Sequence, residues 1–132
     1  MALIKIFTKQ ENYNELKSHV ANSIKLVAAA ALNTPEISTT PDSVRTVYVE
    51  GINLVDIDFI LEVIAVERSD QQRISDDIII ALNQIYPEEL FSIYFNNISE
   101  SSMANTPRVD IESESISMKD AVELAKKGIK NA

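Results

Sequence analysis

Residues 57 to 97, IDFILEVIAVERSDQQRISDDIIIALNQIYPEELFSIYFNN, hold a complete strand, helix and strand. Ile57 to Glu67 is rich in Ile, Val and Phe, the residue types that fit a pleated, half-buried surface. Ser69 and Gln72 then stand three apart as a capping-box pair. Ile74, Ile78, Ala81, Leu82 and Ile85 recur at intervals of three and four, the stripe of an amphipathic helix. Pro87 closes that helix, and Phe91 to Asn97 reads as a second strand.

The same grammar precedes it. Leu3 to Thr8 alternates, with Ile4 and Ile6 on one face and Lys5 between them. Asn12, with Glu15 three residues on, is the expected helix cap, and Leu16, Val20, Ile24, Val27, Ala28, Ala31 and Leu32 form the apolar stripe. Pro35 and the Ser38 to Pro41 stretch end the helix near Asn33, and Ser43 to Glu50 is a strand carried by Val44, Thr46, Val47, Tyr48 and Val49. The chain therefore reads as two β-α-β units with a repeat of roughly 55 to 60 residues. The expected domain covers residues 1–98, as units 1–50 and 57–98, followed by a polar tail at 99–132. That tail is read as a short strand at Arg108 to Ile111 and a helix from Met118 to about Lys127, with the weak apolar stripe of an appendage.

The expected class is α+β: a four-stranded sheet with two helices on one face and a C-terminal helical tail. Two arrangements share this element order, a ferredoxin-like βαββαβ sandwich with an antiparallel sheet and a duplicated parallel β-α-β unit. Periodicity does not separate them.

Composition narrows the chemistry. The 132 residues are 45% hydrophobic and 24% charged, as in an average soluble domain, and contain no cysteine, which removes thiol catalysis and thiolate metal sites. A net charge of −8, with only four arginines, argues against a nucleic-acid face. The apolar runs Leu26–Leu32 and Ile78–Leu82 are far short of the roughly 20 residues a membrane span requires, and Lys5 and Lys9 break any signal-peptide core. A cytoplasmic location without membrane association is expected. Two glycines, Gly51 and Gly128, cannot build a glycine-rich phosphate loop. His19, the single histidine, has no metal-ligand spacing around it, so it is expected at a surface or boundary and no metal is expected. The adjacent pairs Asp76-Asp77 and Glu88-Glu89 do not share a helical face and read as solvated surface. Tyr48 and Tyr94, with Phe59 and Phe95, are expected in packing rather than lining a pocket.

Two segments resemble a known family. Glu67-Arg68-Ser69-Asp70-Gln71-Gln72-Arg73, between the third strand and second helix, resembles the Gly-Arg-Ser-Asp-Glu-Gln-Lys found there in the oxalocrotonate tautomerase branch of the tautomerase superfamily. Asp42 to Glu50, with Ser43-Val44-Arg45 at the strand start, resembles that branch's Ser-Val-Arg-Val-Ile-Ile-Thr-Glu. The resemblance covers residues 1 to about 98. It implies a homotrimer with active sites near subunit boundaries and cofactor-free chemistry on a small carboxylated substrate. An N-terminal proline acts there as general base, and arginines bind the carboxylate and stabilise the developing enolate. Arg45 and Arg68 occupy the two arginine positions. The proline position is different, because the chain begins Met1-Ala2. With Met1 removed, Ala2 presents a primary amine of ordinary pKa about 7.7 to 8.0, able to act as a base.

Each arginine also has a plainer reading. Arg68 either binds ligand or pairs on the surface with Asp70 or Glu67, and Arg45 either serves a site or interface or is solvated. Three functions stay open at this level: a cofactor-independent keto-enol isomerase using Ala2, Arg45 and Arg68, a non-catalytic trimeric binding or structural relative, and a ferredoxin-like interaction module.

Overall fold

The computed structural model describes residues 2–51, 56–99 and 114–130. The expected strand at Arg108 to Ile111 lies outside the described residues, as does Met1. The elements run β1 (Ala2–Thr8), α1 (Gln10–Leu32), β2 (Val44–Glu50), β3 (Phe59–Val66), α2 (Gln71–Ile85), β4 (Phe91–Ile98) and α3 (Met118–Lys130).

The sheet order is β2-β1-β3-β4. β1 is parallel to β2 and β3 to β4, while the two inner strands, β1 and β3, are antiparallel. Parallel neighbours require a crossover, which α1 and α2 supply. An antiparallel sheet is thereby excluded, and the duplicated β-α-β reading holds. The two units meet about a pseudo-twofold centred on the Lys5–Glu62 register pair, midway along the inner ladder.

Strand alternation separates the two sheet faces. Ala2, Ile4, Ile6 and Thr8 of β1 and Phe59, Leu61, Val63 and Ala65 of β3 are all buried. They form one core with Val20, Ile24, Val27 and Ala28 of α1 and Ile74, Ile78, Ala81 and Leu82 of α2. The intervening residues, Leu3, Lys5 and Phe7 with Ile60, Glu62 and Ile64, lie on the opposite face and are half-buried. No described helix covers that face. A buried hydroxyl pair, Ser23 Oγ and Tyr86 Oη at 2.8 Å, ties α1 to the end of α2.

Both expected caps differ. β1 passes to α1 through Lys9 alone, which is extended (φ −69°, ψ 150°), so the helix starts at Gln10 and Asn12 falls inside it. Packing of the crossover onto the sheet overrides the local cap preference. At α2 the cap position is Asp70 in the left-handed region (φ 67°), without a side-chain cap bond. Ser69 is turned outward by this residue, and its Oγ donates to Glu36 Oε1 at 2.6 Å, while Gln72 Nε2 donates to Asp76 Oδ1 at 3.0 Å.

The C-terminal helix is better packed than its sequence indicates. Ala121, Val122 and Ala125 are buried, and α3 packs on both α1 and α2. Its contact stripe is built largely of alanine, which carries little hydrophobicity but allows helices to approach closely. Ala29 of α1 is also fully buried. Replacing Ala121 with Leu inserts three carbons into this contact and is expected to cost about 1–3 kcal/mol. A urea unfolding midpoint equal to that of the unaltered protein shows instead that α3 is not part of the cooperative core.

Candidate functional site

Strand register brings the candidate residues to one end of the sheet. Ala2 pairs with Val44 on one side and Ala65 on the other, and Leu3 pairs with Arg45 and Ile64. Arg68 follows two residues after the end of β3. The N-terminal end of β1, the start of β2 and the exit from β3 therefore adjoin. A 3-10 turn at Pro41–Ser43 fixes the entry to β2, with Thr40 N–H donating to Ser43 Oγ at 3.0 Å and Ser43 Oγ donating to the Thr40 carbonyl at 2.8 Å.

The three side chains do not converge on one cavity. The Ala2 methyl faces the helices and is fully buried. Arg45 alternates with buried Val44, so it lies on the opposite sheet face, and it is half-buried. No acidic partner holds it among the described residues.

Arg68 turns inward and is only 2% exposed. Its Nε donates to the Leu32 carbonyl at 3.2 Å, Nη1 to the Val66 carbonyl at 2.6 Å, and Nη2 to Thr39 Oγ1 at 2.9 Å. Thr39 Oγ1 in turn donates to the same Leu32 carbonyl at 3.1 Å, and its backbone N–H donates to Asn33 Oδ1 at 3.0 Å. The guanidinium thus sits against the last carbonyl of α1, where the helix dipole concentrates negative charge. Burial pushes the Arg68 pKa down from the ordinary guanidinium value, yet a guanidinium stays charged at working pH. The surface pairing considered for Arg68 does not occur: Asp70 pairs instead with Arg73, at 3.7 Å and largely exposed. Thr39 was invisible as a functional residue in the sequence, being one hydroxyl among several in a polar loop.

The remaining candidates resolve plainly. Tyr48 Oη accepts the Ala21 N–H at 3.2 Å and packs against the core. Tyr94 is exposed on the open sheet face. His19 is half-buried beside Asn22, Ala125, Gly128 and Ile129, in a groove of about 250 Å³ between α1 and α3. Among the described residues there is no cluster of His, Asp and Glu able to hold a metal, and no helix is long and apolar enough to cross a membrane. At the opposite pole of the pseudo-twofold, Asp58 accepts the Leu90 N–H at 2.8 Å and the Thr8 hydroxyl bonds its carbonyl at 2.9 Å.

No protein-family model matches the sequence, and no curated protein matches it significantly. Solved structures do match. Malonate semialdehyde decarboxylase superposes with a TM-score of 0.58 at 12% identity, over 80% of this chain and 91% of that one. A fused 4-OT described as an asymmetric trimer gives 0.54 at 13% identity, covering 89% of this chain and 97% of its own. This is the tautomerase-superfamily fold. A domain of unknown function (DUF1904) from Sebaldella termitidis ATCC 33386 adds a third match, at TM-score 0.50, 18% identity, and 80% and 95% coverage. The near-complete coverage of each neighbour means that both β-α-β units of the tautomerase fold are present here.

The Arg68 network carries a stability prediction. Arg68→Ala leaves the Val66 carbonyl and Thr39 hydroxyl short of a partner, and is expected to destabilise by about 3 kcal/mol; Thr39→Val is expected to cost about 1–3 kcal/mol. Urea denaturation checks both, because a solvated surface arginine would change stability by roughly 0–1 kcal/mol.

Proposed function

We propose that this chain is a cofactor-independent tautomerase-type protein acting on a small carboxylated keto or enol compound at the sheet end where β1 begins. The observation that carries the reading is the register that sets Ala2, Arg45 and the Arg68 turn side by side, with Arg45 free of any acidic partner among the described residues. A guanidinium in that state suits a carboxylate, which it binds through paired hydrogen bonds.

In this mechanism Met1 is removed and the Ala2 amine takes the proton from the carbon next to the substrate carbonyl. Nearby positive charge lowers the pKa of such an amine toward neutrality, where its basic form is populated. Arg45 holds the carboxylate and offsets the charge that develops on the enolate oxygen. Arg68 acts as a positioning residue: its three bonds fix the loop after α1 and the exit of β3, which wall this end of the sheet.

The same reading includes self-association through the open sheet face. Leu3, Phe7, Ile60 and Ile64 on that face are half-buried without a covering helix, and an apolar face of this kind marks an interaction surface. Three of the matched 4-OT structures are described as trimers, one symmetric and two asymmetric. Identical subunits closing around the sheet would bury it.

Deuterium exchange at the carbon beside the carbonyl of small 2-oxo acids, followed by NMR in D2O with protein of verified N-terminus, tests the activity. Exchange above background is expected, with Arg45→Ala lowering kcat/KM at least about tenfold, equivalent to about 1.4 kcal/mol of transition-state stabilisation. Acylation of the amine is expected to abolish exchange. Binding without exchange identifies a non-catalytic relative, and unchanged turnover in Arg45→Ala removes the arginine from the mechanism.

A further inference from the structure

Arg45 stands at one end of a row that crosses the sheet. Leu3 is its neighbour in the β1–β2 register, Ile64 is the neighbour of Leu3, and Asn96 that of Ile64. Leu3 and Ile64 are half-buried, and Val47, two residues along β2 on the same face, is exposed. Adjacent strands lie about 4.8 Å apart, so the first two positions across the sheet from Arg45 are hydrocarbon.

The other described cations around this end are engaged. Arg68 gives its donors to the Leu32 and Val66 carbonyls and to Thr39 on the helix side. Arg73, in the first turn of α2, lies 3.7 Å from Asp70. Lys5, the next residue inward on the face of Leu3, has its ammonium 3.8 Å from Glu62 Oε1. Glu62 is itself held in place, because Asn96 Nδ2 donates to its Oε2 at 3.4 Å and Tyr94 hydrogen-bonds it.

These placements treat one carboxylate and two carboxylates differently. A carboxylate bound at Arg45 meets an opposite charge that no acid occupies among the described residues. A second carboxylate on the same molecule reaches Leu3 and Ile64, where an ion without a partner is costly, or Lys5, where Glu62 already offsets the charge and repels a further anion. An apolar substituent in the same position covers Leu3 and Ile64 and gains by leaving water.

We propose that the substrate is a monocarboxylate with an apolar substituent, lying from Arg45 across Leu3 toward Ile64, and that Glu62, by holding Lys5, excludes dicarboxylates. The inference rests on the tautomerase-type reading above and narrows its substrate class.

Two probes test this. 2-Oxoglutarate and 4-methyl-2-oxopentanoate share the 2-oxo acid head and differ in ending with a carboxylate or a branched hydrocarbon. Exchange of their C3 protons in D2O is followed by NMR, on protein of verified N-terminus and with the fold of each variant checked by circular dichroism. The unaltered chain is expected to favour the branched monoacid at least about tenfold in kcat/KM. Glu62→Gln is expected to narrow that ratio at least about fivefold through a lower KM for 2-oxoglutarate, since Lys5 is then free to take the second carboxylate. Adding Lys5→Gln to Glu62→Gln is expected to return the ratio to that of the unaltered chain, which a general loosening of the site would not do. Equal use of the two acids by the unaltered chain, or preference for 2-oxoglutarate, overturns the proposal while the tautomerase-type reading stands, and this comparison needs no variant. An unchanged ratio in Glu62→Gln overturns the role of Glu62. Exchange of neither acid above background overturns the tautomerase-type reading and the proposal together.

Discussion

Three oxygens from three separate parts of the chain meet one guanidinium. The Leu32 carbonyl ends the first crossover helix, the Val66 carbonyl ends the third strand, and Thr39 belongs to the loop leading to the second strand. Arg68 thus joins the first β-α-β unit to the second on the helix side, while the inner strand ladder joins them within the sheet. The position of the second strand, and with it Arg45, depends on the loop that this cation organises. Placing a positive charge against the C-terminal end of a helix lets the dipole compensate part of the desolvation that burial imposes.

This arrangement changes what the two arginines of the sheet end do. Both lie at the same end of the sheet but on different sides of it, one committed to internal acceptors and one without an acidic partner among the described residues. In the proposed function, the latter guanidinium is what orients the small carboxylate. That proposal leaves precision to rigid surroundings rather than to a second direct contact.

Most of the architecture was legible because it rests on periodicity. Alternation at Ile4 and Ile6 and the stripe from Ile74 to Ile85 are consequences of burying one face, and both appear as the residues require. The parallel pairing was not legible from spacing, since the same element order serves two topologies; the residues around Arg45 and Arg68 favoured the correct one by resemblance. Local signals were less dependable. Asn12 and Ser69 are good cap residues, yet a one-residue link and a left-handed Asp70 place the helix starts elsewhere. The inward turn of Arg68 depends on a loop some thirty positions earlier, and the buried stripe of the last helix is largely alanine, whose small size hides its role from any hydropathy reading.

The ladder pattern also governs how the molecule is reached from the unfolded chain. No two adjacent strands of the sheet are linked by a tight hairpin, and every paired residue is separated by roughly 30 positions or more, a topology of high contact order. Helix bonds are local, whereas every strand pairing here closes a long loop and carries its entropic cost. Lys5 and Glu62, at the middle of the inner ladder, place on these apolar strands the kind of charge that discourages an unpaired edge from joining another chain.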